Sequence, residues 1–242
     1  MGMYNERLLK LWDSYAQAGY EKADLTHSTK DLRRKIHQLI LDSQKGTFLD
    51  AGCGTGGNFE TIIKKGKPTK VYAVDWSKEM LAKAETEAEK YRHVHFEFHQ
   101  IDLSEPLFWH DSTFDGVISS LVVCYLQGGW QLPLKELCRV IKPGGYLYLA
   151  TFHSEWKISS AVRKYAPREL FQSRSLEKLK GLVYGIRFRK IAAEICEEGK
   201  RYGADFPCQD ELMHFLEALR FEKIEKIPIY FGCGLALRAR KM

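Results

Sequence analysis

Short apolar runs alternate with helix-like patterns along most of the chain. One run begins at Phe48, and three later ones cover Val71–Asp75, Phe114–Ser120 and Tyr146–Thr151, while His93–Gln100 alternates as a further strand would. A near-continuous apolar run such as the second is typical of a strand whose two faces are both covered. Strands that alternate with helices indicate a parallel sheet. The pattern therefore predicts an α/β domain with a mostly parallel sheet and helices on both faces.

Apolar residues at helical spacing fill the intervals between these strands. A stripe formed by Leu8, Leu11, Trp12 and Tyr15 predicts a helix within residues 4–24. A second stripe, made of leucine and isoleucine, predicts another helix just before the first strand. The chain thus carries two helices ahead of its predicted sheet.

Local signals predict where the later helices begin and end. Gly66 is expected to end the helix that precedes the second strand. Ser77 follows the second strand and has the side chain of an N-cap. A helix near residues 130–140 is expected to stop at the turn Lys142–Gly145, because proline and glycine interrupt helices.

The C-terminal part of the chain predicts a β-hairpin. Two strand-like runs over 221–231 and 235–240 are joined by Gly232–Gly234. Pro228 lies in the first run and cannot donate a backbone hydrogen bond, so this run is expected at the edge of the sheet. We therefore expect an antiparallel pair to complete the sheet.

The composition favours one globular domain in a reducing compartment. The chain has 242 residues, of which 45% are hydrophobic, and this suits a single α/β domain. Its six cysteines form no Cys-x-x-Cys pair, which argues against a zinc site or a disulfide framework and favours the cytoplasm. We expect no membrane partner, because no stretch is long and apolar enough to span a bilayer. The net charge of +6 permits an anionic partner such as nucleic acid without demanding one.

A glycine-rich loop directly after the first strand is the most informative stretch. Glycine takes positive φ and has no Cβ, so such a loop lets the backbone turn closely beneath a ligand. Gly52, Gly54 and Gly57, with Asp75 downstream, fit the dinucleotide-binding fingerprint. Gly52, Gly54 and Gly56 fit the loop of S-adenosylmethionine-dependent methyltransferases equally well. The glycines alone leave both cofactors open.

Asp50, at the end of the first strand, favours the second alternative. A carboxylate there would repel a pyrophosphate but suits the ammonium group of S-adenosylmethionine. Over about residues 44–151 and 209–242 the order of signals resembles a class I methyltransferase of the methyltransferase type 11 kind. The resemblance implies a Rossmann-like seven-stranded sheet, mostly parallel, with an antiparallel C-terminal hairpin. It also implies S-adenosyl-L-methionine as cofactor and S-adenosyl-L-homocysteine as product.

Several residues at the strand ends become candidates for binding this cofactor. A carboxylate at Asp75 can accept both ribose hydroxyls, and Trp76 is placed to lie against the adenine. The family has an acidic residue after the third strand that accepts from the adenine amino group, and Asp102 occupies that position. Ser119 and Ser120, at the end of the fourth strand, are expected where methyl donor and acceptor meet, and Ser119 is the one assigned to the cofactor. The candidate cofactor-binding residues are Asp50, Gly52, Gly54, Gly56, Asp75, Trp76, Ile101, Asp102, Leu103 and Ser119.

Candidate catalytic residues are few, because displacement at a sulfonium depends mainly on how the reactants are oriented. His153, just past the fifth strand, is expected to point toward the active site and to handle the acceptor proton. Tyr15 is the second candidate. We expect no metal site, since His93, His95 and His99 have no carboxylate or thiol partners that would complete a ligand set.

The chain divides into a core and two additions. The predicted segments are a helical lid over residues 1–43, a cofactor-binding core over 44–152 and 209–242, and an acceptor cap over 153–208. Within the cap, helical patterns over 158–165 and 176–182 precede a basic cluster at Arg187, Arg189 and Lys190. Extra segments on a rigid scaffold usually carry the variable function. The lid and the cap are therefore expected to close over the acceptor.

The function predicted from these observations is methyl transfer from S-adenosylmethionine to a small-molecule acceptor by in-line displacement (EC 2.1.1.-). A methyltransferase that modifies RNA, such as tRNA, is the alternative suggested by the net charge and the basic cluster. It is less favoured, because the sequence contains no recognisable RNA-binding module. An NAD-dependent oxidoreductase and a cofactor-binding subunit without activity are further alternatives. We expect a cytoplasmic monomer or homodimer.

Overall fold

The computed structural model describes residues 5–19, 27–42, 44–154, 191 and 194–242. Its strands are β1 Thr47–Ala51, β2 Lys70–Asp75, β3 His95–Gln100, β4 Phe114–Ser120, β5 Ile141–Phe152, β6 Phe221–Ile229 and β7 Gly234–Lys241. They form one sheet in the order β3-β2-β1-β4-β5-β7-β6. Strands β1 to β5 run parallel to one another, whereas β7 runs antiparallel to β5 and to β6.

Helices cover both faces of this sheet. The described helices are α1 Asn5–Gln17, α2 His27–Leu39, α3 Phe59–Thr61 with its π-helical continuation Ile62–Gly66, α4 Lys78–Ala88, α5 Gln131–Arg139 and α6 Gln209–Ala218. Residues 194–201 are also helical. Within the described parts of the chain, no helix combines the length and the apolar character needed to cross a membrane.

Two hydrophobic clusters hold the helices to the sheet, one on each face. Phe48 of β1 packs in the cluster with α2, α3 and α4, whereas the next residue, Leu49, packs in the cluster with α5 and α6. Successive side chains of a strand point to opposite faces, so an unbroken apolar run supplies both clusters. This accounts for the apolar β1 and β2 sequences.

The order of the strands creates a crevice at the centre of the sheet. From β1 the chain proceeds outward through β2 to β3, and it then returns to place β4 on the other side of β1. In open α/β sheets, ligands bind outside the carboxyl ends of the strands at such a switch point. The glycine loop follows β1 and therefore lies at this crevice.

The structure confirms the predicted fold class and corrects some boundaries. The seven-stranded sheet and the antiparallel hairpin are present, and β6, which contains Pro228, lies at the sheet edge. The turn predicted over Lys142–Gly145 does not separate α5 from the strand, because β5 already begins at Ile141. Residues 142–145 instead form an irregularity, since Ile141 pairs with Phe114 and Tyr146 pairs with Gly116. The predicted cap helices and basic cluster lie outside the described residues.

Candidate functional site

A cavity of about 320 Å³ lies at the carboxyl ends of the central strands. The glycine loop lines it beside the first two strands, and Ser120 lines it at the end of β4. The loop after β3 forms one side, and α1 and α2 contribute side chains from above. The cavity therefore occupies the crevice that the strand order creates.

The glycine loop is fixed to the neighbouring strand. The backbone N–H groups of Gly52 and Cys53 both donate to the carbonyl of Val74, at 2.8 Å each. Gly52, Gly54 and Gly56 have φ values of 77°, 55° and 83°, in the left-handed region where side chains with a Cβ are strained. A Cβ on Gly52 would also lie 2.3 Å from Cγ2 of Val122. Gly52 and Gly54 line the cavity, whereas Gly56 lies outside the lining.

Asp75 connects this loop to the start of α4. Its Oδ2 accepts a hydrogen bond from the Gly54 N–H at 2.9 Å, and its Oδ1 accepts from the Ser77 N–H at 3.0 Å. Ser77 is the predicted N-cap, which is confirmed because its Oγ accepts from the Met80 N–H at 3.1 Å. Asp75 also lines the cavity. It can therefore support the loop and accept hydrogen bonds from a ligand at the same strand end.

Asp50 lies beneath the loop. It is fully buried, and its Oδ1 accepts a hydrogen bond from Asn58 Nδ2 at 3.2 Å. Its Oδ2 has no hydrogen-bond partner among the described residues. Asp50 is not part of the cavity lining, so its predicted contact with a ligand ammonium group stays a prediction.

The residues predicted to bind adenine meet at one end of the cavity. Trp76, Ile101, Asp102 and Leu103 all line it. The Ile101 N–H donates to the carbonyl of Asp75 at 3.0 Å, and the Asp102 carboxylate accepts from the Ser104 N–H at 2.9 Å. The loop after β3 is thus tied to the end of β2, which brings an acidic side chain and a flat indole to the same region.

At the end of β4, the structure shows which of two adjacent serines lines the cavity. Ser119 is fully buried, its Oγ has no partner among the described residues, and it lies outside the cavity lining. Ser120, the next residue, lines the cavity. Successive side chains of a strand point to opposite faces, so only one of two adjacent serines can face the cavity. The predicted position of Ser119 is therefore corrected in favour of Ser120.

Helix α1 covers the cavity with aromatic side chains. Leu8, Trp12 and Tyr15 all line it, as their helical stripe suggested. The Trp12 ring makes edge contacts with Tyr15 at 5.9 Å and with Tyr125 at 5.7 Å between ring centroids. These side chains agree with α1 being a cover over the site. That the predicted lid is a functional segment stays a prediction.

Two polar contacts fix α1 to α4. The Ser77 hydroxyl donates to the Asp13 carboxylate, and Lys83 Nζ donates to the carbonyl of Ala16 at 2.7 Å. Ser77 is fully buried, and so is Ala16. The position of α1 therefore depends on the residue that caps α4.

Of the two candidate catalytic residues, only one lines the cavity. Tyr15 lines the cavity. His153 is buried outside the lining, and its Nε2 lies 2.6 Å from the carbonyl oxygen of Gly232, to which it can only donate. The prediction that His153 points toward the active site is therefore corrected, because the connection between β6 and β7 holds its ring.

The histidines of β3 lie at the sheet edge, as β3 is the first strand in the order. His95 is exposed and lies near the carboxylate of Glu97, at 3.3 Å. In the described ranges, no group of three or more histidine, cysteine, aspartate or glutamate residues has the arrangement of a metal site.

Several cavity residues were not predicted from the sequence. They come from α2, from the segment after β4, from the start of the helical residues 194–201 and from the turn after β6, and the main ones are Arg33, Val122, Tyr125, Leu126, Gln127, Ile195 and Tyr230. One signal in the sequence could have indicated some of these cavity residues. The segment Leu121–Leu126 is apolar, whereas connecting segments at a surface are usually polar.

The two buried carboxyl groups predict how stability changes with pH. Burial raises the pKa of Asp50 to about 7, with a further increase from Asp75, and burial raises the pKa of Asp75 to about 6. Both values exceed the value near 3.9 expected in the unfolded chain. The folded protein then binds more protons, so these groups lower the free energy of unfolding as pH rises from about 4 to about 7.

The Asp50→Asn variant isolates the contribution of Asp50 to the pH dependence of the free energy of unfolding. We expect the wild type to lose stability relative to this variant as pH rises through this window, as measured by urea unfolding at several pH values. A wild-type advantage that grows with pH would contradict the prediction.

The chain is similar to known methyltransferases in sequence. Residues 49–149 match the family described as Methyltransferase domain. A malonyl-[acyl-carrier protein] O-methyltransferase of Marinomonas sp. is 33% identical over 148 residues, which cover 61% of this chain and 52% of that protein. The thiol S-methyltransferase TMT1B of Rattus norvegicus is 31% identical over 150 residues, which cover 62% of this chain and 57% of that protein. The chain thus spans about half the length of these curated relatives.

The fold is also similar to solved structures. One is a protein of Thermotoga maritima described as a SAM-dependent methyltransferase, possible histamine N-methyltransferase. It is 18% identical with a TM-score of 0.60, and the match covers 97% of this chain and 100% of that one. At this level of identity the similarity establishes the shared fold alone.

Proposed function

We propose that this chain transfers a methyl group from S-adenosylmethionine to a small-molecule acceptor, because residues 49–149 match the methyltransferase domain family and the fold is shared with a solved SAM-dependent methyltransferase. The main support is Asp75, whose carboxylate lines the cavity while it accepts hydrogen bonds from the N–H groups of Gly54 and Ser77. A carboxylate held in this way can accept ribose hydroxyls without rearranging the loop.

The residues present at the site fit this cofactor. Gly52 approaches Val122 so closely that a Cβ would lie 2.3 Å from Val122 Cγ2, and both residues line the cavity. Asp102 can accept from an exocyclic amino group, and Trp76 can stack on a purine. The Oδ2 of Asp50, which has no partner among the described residues, lies below the loop, and because burial raises the pKa of this carboxyl to about 7, a cationic ligand nearby would favour its ionised form.

The chain's own contribution to the reaction is orientation and exclusion of water. When bound, S-adenosylmethionine would supply a sulfonium methyl group that is activated for displacement by a lone pair of the acceptor. Correct orientation can supply ~7–11 kcal/mol of the barrier, whereas one general base supplies about 10²–10⁴ in rate. Trp12, Tyr15 and Tyr125 cover the cavity and can hold the acceptor in a dry site.

The aromatic and apolar part of the cavity lining favours a neutral, largely apolar acceptor. This part includes Leu8, Tyr15, Tyr125, Phe152 and Tyr230. Burial raises the pKa of Tyr125 well above its usual value, so its hydroxyl stays neutral at pH 7. A charged acceptor would lose its hydration in this environment without an opposite charge among these side chains. The proposed substrates are therefore small molecules with an apolar body and a neutral nucleophile.

Ligand titration followed by turnover tests this function. We expect calorimetry to detect binding of S-adenosylhomocysteine and not of NAD. Release of S-adenosylhomocysteine should then depend on an apolar thiol, amine or hydroxyl compound from a metabolite panel. Binding of NAD alone would support the oxidoreductase alternative, and turnover with RNA alone would support the RNA alternative. The cytoplasmic location and the monomeric or dimeric state stay predictions.

The cover formed by α1 predicts a change in amide exchange. S-adenosylhomocysteine fills the cavity that Trp12 and Tyr15 line, so α1 should open less often when the ligand is bound. We expect slower exchange over residues 5–17 and unchanged exchange over Gln131–Arg139, the α5 segment of the opposite cluster. Equal exchange of α1 with and without ligand would contradict this prediction.

Deleting residues 1–20 should leave a folded core that has lost turnover.

A further inference from the structure

The helical residues 194–201 carry a buried carboxylate that the proposed function does not use. Glu198 is 4% exposed, whereas Glu194 and Glu197 of the same helix are exposed. Glu198 follows Ile195 by three residues, and Ile195 lines the cavity. Residues three apart lie on one face of a helix, so the two share the face that is turned toward the domain. A carboxylate in such a position needs opposite charges or hydrogen bonds to offset its lost hydration.

The partners of Glu198 come from two different helices. Its Oε1 lies 3.6 Å from Nε of Arg7 in α1. Its Oε2 lies 3.1 Å from Nη1 of Arg201, and the Tyr202 hydroxyl donates to Oε1 at 3.5 Å. Arg201 and Tyr202 follow within four residues, so these two contacts are local. Among the contacts of this carboxylate with described residues, that with Arg7 is the one that joins two elements.

The Arg7 contact lies beside residues that line the cavity. Leu8, next to Arg7, is buried and lines the cavity from α1, and Ile195 is buried and lines it from the other helix. The Arg7 side chain is 69% exposed. The ion pair therefore lies on the solvent side of an apolar part of the cavity wall and connects the two helices that build it.

The other half of α1 is attached to the core of the domain. The Asp13 carboxylate accepts from the Ser77 hydroxyl, and the Ala16 carbonyl accepts from Lys83, so this half is fixed to α4. Helix α1 thus has two attachments, one to α4 and one to residues 194–201. Trp12, whose ring contacts Tyr125, lies between them along the helix.

We infer that Glu198 is a positioning residue that, through Arg7, fixes the N-terminal half of α1 over the apolar part of the cavity. The link to the acceptor rests on the proposed function, because that part of the lining is where the acceptor is proposed to bind. The attachment itself follows from the burial of Glu198 and the charge of Arg7. It holds Leu8 in the wall and excludes water from that side of the cavity.

Amide exchange of the full chain without ligand, measured by NMR, tests this attachment. Each N–H of an α-helix donates to the carbonyl four residues earlier, so the amides of residues 9–12 report on the first turn, which contains Arg7. We expect Arg7→Gln and Glu198→Gln to accelerate exchange over residues 9–12 about two- to fivefold, as for a partly exposed ion pair. Residues 14–17, which the contacts with α4 hold, should exchange as in the wild type.

Matched controls separate this attachment from a general effect on stability. Arg201→Gln removes a cation that pairs with the same carboxylate from within its own helix, and it should leave residues 9–12 unchanged. Glu197→Gln removes a charge from an exposed neighbour and should also have no effect. Arg7→Lys keeps the charge and should retain most of the protection.

Salt provides an independent measurement. Raising the NaCl concentration from about 0.05 M to about 0.5 M screens exposed charges. Exchange over residues 9–12 should therefore become faster in the wild type, while that of Arg7→Gln should not change.

The outcomes distinguish the inference from the proposed function. If Arg7→Gln and Arg201→Gln accelerate exchange over residues 9–12 equally, Glu198 serves only its own helix and the inference is wrong. Wild-type exchange in Arg7→Gln overturns it even if Glu198→Gln does not fold. S-adenosylhomocysteine, titrated calorimetrically, should bind the wild type and Arg7→Gln alike, because the attachment to α4 is intact. If it binds neither protein, the proposed function fails, and the exchange data still decide the role of Glu198.

Discussion

Gly52→Ala should abolish detectable binding of S-adenosylhomocysteine. The substituted residue would need a φ of 77°, and its Cβ would lie 2.3 Å from Val122. The left-handed conformation costs about 1–2 kcal/mol, and overpacking a filled site costs typically 1–3 kcal/mol. The chain can relieve both only by moving the loop or the Val122 segment, and both of these line the cavity. Isothermal titration measures the loss.

Gly128→Ala is the matched control for this variant. Gly128 has a nearly identical φ of 76°, and a Cβ there would meet nothing within 4 Å. It therefore carries the conformational cost without the contact with Val122. We expect Gly128→Ala to lower the melting temperature modestly and to bind the ligand as the wild type does. Equal affinities for Gly52→Ala and Gly128→Ala would show that the loop does not cradle the cofactor.

Asp75→Ala should weaken S-adenosylmethionine binding by about a hundredfold or more. The variant loses the proposed acceptor for the ribose and also the acceptor for the N–H groups of Gly54 and Ser77. Each hydrogen bond to a charged group contributes ~1.5–3 kcal/mol, and 1.4 kcal/mol is about tenfold in dissociation constant. Calorimetric titration of the folded variant provides the measurement.

Asp75→Asn and Asp42→Ala complete this experiment. Asp75→Asn keeps one acceptor oxygen in place and should bind with intermediate affinity. Asp42→Ala removes the same charge from an exposed carboxylate that pairs with Lys65, 2.7 Å away, and should bind normally. A folded Asp75→Ala protein with wild-type affinity would leave Asp75 with a purely structural role at the start of α4.

The order of secondary-structure elements was predictable because each strand supplies both faces of the sheet. The apolar runs of β1, β2 and β4 needed no tertiary information, and neither did the hairpin with Pro228. The irregularity at residues 142–145 was not predictable, because it depends on which β4 residue pairs with Ile141 and which with Tyr146. Proline and glycine indicated a break in the chain but not that the strand would continue through it.

The cofactor half of the site was predicted better than the acceptor half for a related reason. Gly52, Gly54 and Asp75 meet because they lie at the ends of neighbouring parallel strands, and sequence order alone brings such ends together. Arg33 and Tyr125 reach the cavity through the packing of α2 and of the segment after β4. Both serines at the end of β4 were predicted at the site, but which of them faces the cavity was not, and only Ser120 lines it.

Ser77 gives α1 and the cofactor a common point of attachment. Its N–H donates to Asp75, the residue proposed to hold the ribose, and its hydroxyl donates to Asp13 of α1. If docking of α1 tightens cofactor binding by some factor, thermodynamic linkage requires that the cofactor stabilise the docked helix by the same factor. An acceptor that packs against Trp12 would then tighten binding of the cofactor, and the cofactor would tighten binding of the acceptor by the same factor. The cap of a single helix would in this way couple the binding of two ligands.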